Sequence, residues 1–550
     1  MSVIDRLVRR PLLARVIGTV SAGVALGLSW EPYGWWPLAF VAVSALTLLV
    51  RDARPRRAFG LGYLFAVVAL VLSLGWIRVL GWPIAAALIC FESLFLALLT
   101  MGLSTIQRRS RWWPLWAACL WTLCEFTYSR FPFGGFGWTR LAYGAVDGPL
   151  AGWFPVVGTA GVSFLVALSA QGLAWLVLRW TGALPHPRTS GRQRLRSVAP
   201  VAAGLVGLQM AGGVLQFTEP VVGASEQGTV RVAIVQGNVP GKGIEAMGRM
   251  RAVTDNHLAE TRRLAEQVRA GEVPQPDFVL WPENSTDIDP TVDPVTEATV
   301  QAAVEAIGVP IFVGAVTNGP GPDERQTTGM WWDPVQGPTA TYHKRNLVPF
   351  GEWIPFRDQL LPVIPMLELV GRQGVPGTDP GVLQVQLADG RQLAVGDLIC
   401  FELAYDGTVN DVITHGAQVV VVQSNNATYG GTGQIEQQFA ITRARAMETR
   451  REISVATTNS VSGHIDRHGR VTERTEEFTA ASSVVTMPLR QGSTIAVLLG
   501  RWVDLGLSLA GLGALLVAVL NPWTGRARRR GAWSVRPMPE PSDSAPTETE

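Results

Sequence analysis

The chain has 550 residues, 47% of them hydrophobic and only 16% charged, which is too apolar for an ordinary soluble enzyme. Its formal net charge of +2, with no basic stripe interleaved with aromatics, argues against a nucleic-acid partner and points to a membrane protein.

The apolar residues concentrate in 12–217 and again near 494–520, with an ordinary mixed segment between. A bilayer core about 30 Å thick needs about 20 apolar residues per helix. In chain order the predicted spans are 12–30, 34–50, 58–78, 82–105, 112–129, 150–179, 197–217 and 494–520, about eight in all. Arg6, Arg9 and Arg10 before the first span also fit a secretory signal, but no small-x-small cleavage site follows and another apolar span comes at once. Basic residues mark the N-terminus, the loops Arg51–Arg57, Arg108–Arg111 and Arg179–Arg196, and the RARRR tail, so every second connection is basic. Short cytoplasmic loops are enriched in Lys and Arg. The expectation is a multi-pass protein of the cytoplasmic (inner) membrane with both termini inside. The divisions are a membrane domain over 1–218, an extracytoplasmic domain over 219–493, a last span over 494–520 and a tail over 521–550 whose polar composition predicts disorder.

From TVRVAIVQGNV (229–239) onward the outer segment alternates β-rich apolar runs with helical patterns. The further runs are 277–285, 309–319, a strand ending at Cys400, and 417–426; helices are predicted around 245–270, 294–307 and 434–451. This alternation predicts an α/β layered domain, closed by the strands and turns of the stretch beginning EISVATTNS.

Of four cysteines, Cys90, Cys119 and Cys124 fall in predicted spans, leaving Cys400 alone in the outer domain without a disulfide partner. It is either an inert buried thiol or a nucleophile, and a nucleophile needs a neighbouring base or cation. Arginine supplies almost all positive charge; only Lys242 and Lys344 break that habit. Lys242 in PGKG reads as a solvated turn residue, whereas Lys344 in YHKRNLVPFGEWIP is either a solvated loop residue or a compact ammonium aimed at a developing oxyanion. In DFVLWPENS an apolar strand runs into Pro282 and Glu283, placing a carboxylate at a strand end where it either caps a turn or does chemistry. Glu352 and Glu402 stand beside the other two motifs as supporting carboxylates. Together, Glu283 as base, Cys400 as nucleophile and Lys344 as oxyanion partner form a constellation for acyl transfer. The six histidines are scattered without metal-ligand spacing, so no metal is expected.

WPENS, YHKRNLVPFGEWIP, GDLICFE and SNNATYG, in this order, resemble the nitrilase superfamily, and with the flanking spans they resemble its apolipoprotein N-acyltransferases up to about residue 520. The resemblance implies an αββα domain held outside the membrane by eight helices. It implies Glu283 as general base, Lys344 as oxyanion-stabilising residue and Cys400 as nucleophile, with Glu352 and Glu402 matching further acidic positions. The implied reaction passes an acyl chain from a membrane phospholipid through a Cys400 thioester to the α-amino group of a lipoprotein's diacylglyceryl-cysteine, by a single chain and with no cofactor. The chain departs from the family's N-D-A-W-F-G in having NNATYG, with Asn426 for the acid and Thr428 for the tryptophan, which bears on substrate contact. FPFGGFGW (131–138) fits either a headgroup-level aromatic loop or a lipid-access element. The alternatives are a membrane-bound nitrilase-type amidase, whose acyl-enzyme water resolves, and a non-enzymatic ligand-binding membrane protein.

Overall fold

The computed structural model describes residues 12–184, 191–239, 241 and 251–520; the N-terminal arginines, Lys242 and the 521–550 tail lie outside the described residues. Among the described residues seven apolar helices precede the α/β domain: α1 (Leu12–Gly27), α2 (Pro37–Val50), α3 (Pro55–Leu74), α4 (Trp82–Arg109), α5 (Trp113–Tyr128), α6 (Phe154–Trp180) and α7 (Gly191–Leu215). Among the described residues five stretches are long and apolar enough to cross a bilayer: Pro55–Leu80, Trp82–Arg109, Pro149–Trp180, Arg192–Leu215 and Arg501–Leu520. The others are shorter; α5, with 16 residues, reaches about 24 Å at 1.5 Å per residue and stops where the Gly- and Pro-rich loop 131–138 begins. Small residues line the packed face of α3 (Ala58, Gly62, Ala66, Ala69), allowing the close helix approach that van der Waals packing in a bilayer requires.

The α/β domain opens with β1 (Val221–Gln236), followed by α8 (Ala252–Arg269), β2 (Phe278–Leu280) and α9 (Pro294–Ile307). The side chain of Asp293 caps α9 by accepting from Thr296 N at 2.8 Å, with Pro294 at the first helical position. Next come β3 (Ile311–Asn318), β4 (Glu324–Asp333), β5 (Gly337–His343), the single turn α10 (Arg357–Leu360) and β6 (Gln373–Gly374). The second half contains β7 (Val382–Gln386), β8 (Gln392–Ile399), α11 (Asp406–Thr414), β9 (Val419–Ser424), α12 (Gln434–Thr449), β10 (Ile453–Thr457), β11 (Gly463–Ile465), β12 (Val471–Arg474) and β13 (Ala481–Thr494). The chain then passes through α13 (Ile495–Leu499) into α14 (Arg501–Leu520). The apolar run over 494–520 thus comprises a strand end, a short helix and a helix long enough to cross a bilayer, the two helices separated at Gly500, whose φ of +48° interrupts the helical path.

Two sheets face each other. One has the order β13-β1-β2-β3-β4-β5, with β6 added beside β4, and the other β12-β11-β10-β9-β8-β7. The strands at the centre of each (β1-β2-β3 and β8-β9-β10) run parallel, and their C-terminal ends carry the site. Val232, Ile234, Phe312, Trp331, Val395, Ile399, Val419 and Val421 fill the space between the sheets. Leu264, Ala265, Val300 and Val304 pack α8 and α9 on the outer face of the first sheet, giving the αββα layering. On the second sheet the outer layer is α11 and α12, and there the core does not end. Ile435, Ala444 and Met447 of α12 belong to the same cluster as Phe154, Val162 and Val166 of α6. α12 is therefore covered on both sides, and even its Gln434, Gln437, Gln438, Arg445 and Glu448 are buried.

Candidate active site

β2 ends because Pro282 has no N–H for the ladder, and the chain bends across β3. The bend needs Gly314 beneath it, where a Cβ would lie 2.2 Å from the Pro282 carbonyl oxygen. Glu283 is thereby carried into the interior, 4% exposed. Lys344 follows β5 and is 1% exposed; its N–H donates to Thr327 O at 2.8 Å, which prolongs the strand pairing by one step. A buried ammonium must be paired. Lys344 Nζ donates to Glu283 Oε1 at 2.8 Å, and both oxygens of Glu352 lie 3.0 Å from it. Glu352 is held in turn by Val348 N at 2.7 Å. Burial disfavours the Lys344 charge, but Glu283 and Glu352 outweigh it and hold the ammonium well above its ordinary pKa.

β8 delivers Cys400, whose φ of +53° marks a tight turn of the kind that costs about 1–3 kcal/mol and must be held by its surroundings. Glu402 holds it. Its Oε2 accepts from Ile399 N at 2.8 Å, and its Oε1 accepts from Tyr342 Oη at 2.8 Å, Arg345 N at 2.7 Å and Asn346 N at 3.2 Å. One buried carboxylate thus ties the cysteine turn to the lysine loop.

Burial pushes the Cys400 thiol up to about 12, with the Glu283 charge adding to the rise; Lys344 and a hydrogen bond with Ser424 act the other way. The resting sulfur is a thiol and needs a base. Glu283 suits that task, since burial raises its own pKa against the pull of Lys344, and Asn425 N fixes its Oε2 at 2.9 Å.

The NNATYG loop lies against the sulfur: Asn426 Oδ1 is 4.0 Å from Cys400 Sγ, and Tyr429 packs edge-on to Trp76 at 5.0 Å. The 131–138 loop also reaches the site. Phe136 and Trp138 stack with Phe401 at 5.8 and 5.9 Å, and Phe133 makes edge contacts with Phe350, Trp353 and Phe356 at 6.2, 6.1 and 5.9 Å. Gln437 fastens this region. Its Oε1 accepts both Trp76 Nε1 and Trp138 Nε1 at 2.9 Å, while its Nε2 donates to the carbonyls of Glu31 and Ser73.

Sequence reasoning singled out Glu283, Lys344, Glu352, Cys400 and Glu402, and all five converge here. It missed a buried charged cluster under the cysteine turn. Arg140 pairs with Asp406 at 2.7 Å and lies 3.6 Å from Glu125 and 3.8 Å from Asp504; Arg445 reaches Asp406 at 2.7 Å and also Glu448 and Leu403 O. Burial would raise the Asp406 carboxyl, but the two guanidiniums outweigh it and hold it well below the carboxylate range. The available signal was charge on every face of α12, where a surface helix would carry one polar side.

Two family models match the chain: the apolipoprotein N-acyltransferase N-terminal domain over residues 22–172 and the carbon-nitrogen hydrolase over residues 231–495. An apolipoprotein N-acyltransferase of Mycolicibacterium smegmatis is 37% identical over 95% of this chain and 89% of its own length. Proteins of the same name from Vibrio parahaemolyticus and Pseudomonas aeruginosa (strain LESB58) are 24% and 28% identical, covering 91% and 86% of this chain and 96% and 90% of their own lengths. A membrane domain and a carbon-nitrogen hydrolase domain in this order, with that identity over nearly the full length, show that the chain belongs to the apolipoprotein N-acyltransferase family.

Proposed function

We propose that this enzyme transfers an acyl chain from a phospholipid to the α-amino group of a diacylglyceryl-cysteine at a lipoprotein N-terminus, through a thioester on Cys400. The observation that carries the route is the Glu283–Lys344–Glu352 cluster beside a protonated thiol. Glu283 takes the thiol proton as sulfur attacks the ester carbonyl. The Lys344 ammonium faces the oxyanion that forms, in a dry site where one charge counts for more than in water. Collapse expels the lysophospholipid alkoxide, which recovers the proton from Glu283. In the second half the neutral amine attacks the thioester, Glu283 accepts its proton, the thiolate leaves, and the proton returns to sulfur. Glu402 acts through the two loops it ties together.

The same reading gives the chain a multi-pass arrangement with residues 219–493 outside the cytoplasmic membrane, a C-terminal span and both termini inside. The basic connections after α2, α4 and α6 support it: they lie at the opposite ends of their helices from Glu31, Trp76 and Trp138, which contact α12 through Gln437. Both substrates carry lipid chains, so a thiol at the bilayer surface suits them. The exposed Phe131, Phe350, Phe356, Val363 and Leu369 around the 131–138 and 345–371 loops offer an apolar approach.

The test is intact mass measurement of the detergent-purified protein after incubation with phospholipid, for wild type and Cys400→Ala. A hydroxylamine-labile gain of one acyl chain, absent in the variant and discharged by a diacylated lipopeptide, is the expected result. Discharge by water alone would make the protein a hydrolase, and no gain under any lipid would remove Cys400 from the mechanism.

A further inference from the structure

Behind the site, between the two sheets, lie two polar side chains that the acyl-transfer steps do not use. Asp397 on β8 is fully buried, and neither of its carboxyl oxygens has a hydrogen-bond partner among the described residues. It shares the inward face of β8 with Val395 and Ile399, in a core that includes Phe312, Trp331 and Tyr342. Gln423 on β9 is also fully buried. Its Nε2 donates across the gap to the carbonyls of Trp281 at 2.7 Å and Phe312 at 3.2 Å, both on the opposing sheet. Only the amide nitrogen can meet two carbonyls, so these partners fix the amide orientation and turn Oε1 the other way.

That Oε1 likewise has no donor among the described residues. It shares one small space with Asp397, kept open by Gly329 on β4. A Cβ at Gly329 would stand 2.3 Å from Asp397 Oδ2 and 2.9 Å from Gln423 Oε1. Two bare acceptors facing each other in a dry core are costly unless one carries a proton. Glutamine cannot take it; a carboxyl can.

We propose that Asp397 is a positioning residue, kept as a neutral carboxylic acid at neutral pH, which donates its O–H to Gln423 Oε1 and so locks the amide that holds the Trp281–Pro282–Glu283 segment against the nucleophile strand. The surroundings favour the neutral form: burial first, then the like charges of Glu402 and Glu283, raise the Asp397 carboxyl well above its ordinary value and outweigh the Leu398 backbone N–H, which acts the other way. Tyr342, the other ionisable group facing it, is itself pushed upward by burial and by Glu402 and is neutral. The register supports the coupling, since Gln423 pairs with Ile399, the residue before Cys400. The kinetic part of this inference rests on Glu283 being the base; the protonation of Asp397 does not.

The test combines infrared spectroscopy with kinetics on the full-length protein in detergent. Wild type at pH 7 is expected to show a protonated-carboxyl C=O band that shifts in D2O and is missing from Asp397→Asn. A wild-type spectrum with no such difference overturns the proposal. In single-turnover acylation, Asp397→Asn, whose amide N–H can replace the O–H, should stay within about threefold of wild type, while Asp397→Ala should lose about tenfold or more in rate with donor KM unchanged. An Asp397→Asn protein that melts like wild type yet is as slow as Asp397→Ala also overturns it. Persistence of acyl transfer in Cys400→Ala would instead sink the thioester mechanism and leave the carboxyl band untouched.

Discussion

Tyr342 donates its hydroxyl to Glu402 at 2.8 Å, joining β5, which leads into Lys344, to the turn that presents Cys400 from the other sheet. Four donors converge on the Glu402 carboxylate, so an amide at this position must turn an N–H₂ toward at least one N–H or O–H. Glu402→Gln is expected to slow thioester formation by about 10–100-fold, the effect of a misplacement of about 1 Å. Tyr342→Phe removes one donor and should cost about 1 kcal/mol of stability with little loss of rate. Single-turnover acylation and thermal melting of the two variants, side by side, check both.

Glu352 has a different role from Glu402, because it touches the ammonium itself. Its charge helps hold the Glu283 pKa up, behind burial and against Lys344. Glu352→Gln should therefore lower the Glu283 pKa, moving the acid limb of the kcat/KM profile to lower pH, while the plateau falls because the base is weaker. A limb that stays in place would mean that Glu352 does not sense Glu283.

The thiol gives a third prediction, opposite in sign for binding and for chemistry. Since Glu283 helps push Cys400 up to about 12, Glu283→Gln should increase the thiolate fraction at pH 8 and speed alkylation by iodoacetamide, while acyl transfer is lost. For wild type, alkylation should rise about tenfold per pH unit through the alkaline range, because only the thiolate reacts. Slower alkylation in Glu283→Gln would show that the carboxylate activates the sulfur even toward a small reagent.

Asp406 joins Arg140 and Arg445 below the cysteine turn, and Asp406→Asn leaves two buried guanidiniums under-compensated. A loss of about 3–5 kcal/mol is expected, read as a lower melting temperature in detergent. The folded pKa lies below the unfolded one, so the Asp406 contribution is fully present above about pH 4 and is lost as pH falls further toward the folded value. The gap between wild-type and variant melting temperatures should accordingly narrow in acid.

Phe133 touches Phe350, Trp353 and Phe356 while remaining 38% exposed. Phe133→Ser should raise the KM for phospholipid severalfold with the melting temperature nearly unchanged. A large fall in melting temperature would make the contact a structural one.

Of the residues proposed to carry the chemistry, Glu283 and Cys400 were legible because each follows a plain apolar run, DFVL before Trp281–Glu283 and AVGDLI before Cys400, whereas Lys344 stood out only as a rare lysine in a chain that otherwise uses arginine. α9 was legible as a helix around 294–307, and the structure shows Asp293, Pro294 and Gly308 setting its limits. What the sequence hid depends on long-range pairing. Arg140 and Asp406 lie 266 residues apart, and no local pattern joins them. The 494–520 run hid a boundary because α13 and α14 are both largely apolar, and only the backbone turn at Gly500 divides the helices. Asn426 read as a departure from a motif, whereas its position beside Sγ follows from the parallel pairing of β8 with β9.

The pairing of β1 with β13 has one more consequence. Val221 lies opposite Thr494, so the chain enters and leaves the α/β domain at neighbouring points, about 5 Å apart as antiparallel partners are. A domain whose ends meet can be inserted into a single loop of a host without stretching either partner. By connectivity, then, residues 221–494 form a cassette that lineages could swap or engineers could transplant. α12 sets the condition for such a transfer: its second buried face meets the apolar helices and their connecting loops, Gln437 at Trp76 and Trp138, Arg445 and Glu448 at Thr159. A recipient scaffold would have to supply a matching dry, charge-complementary seat, not just two nearby attachment points.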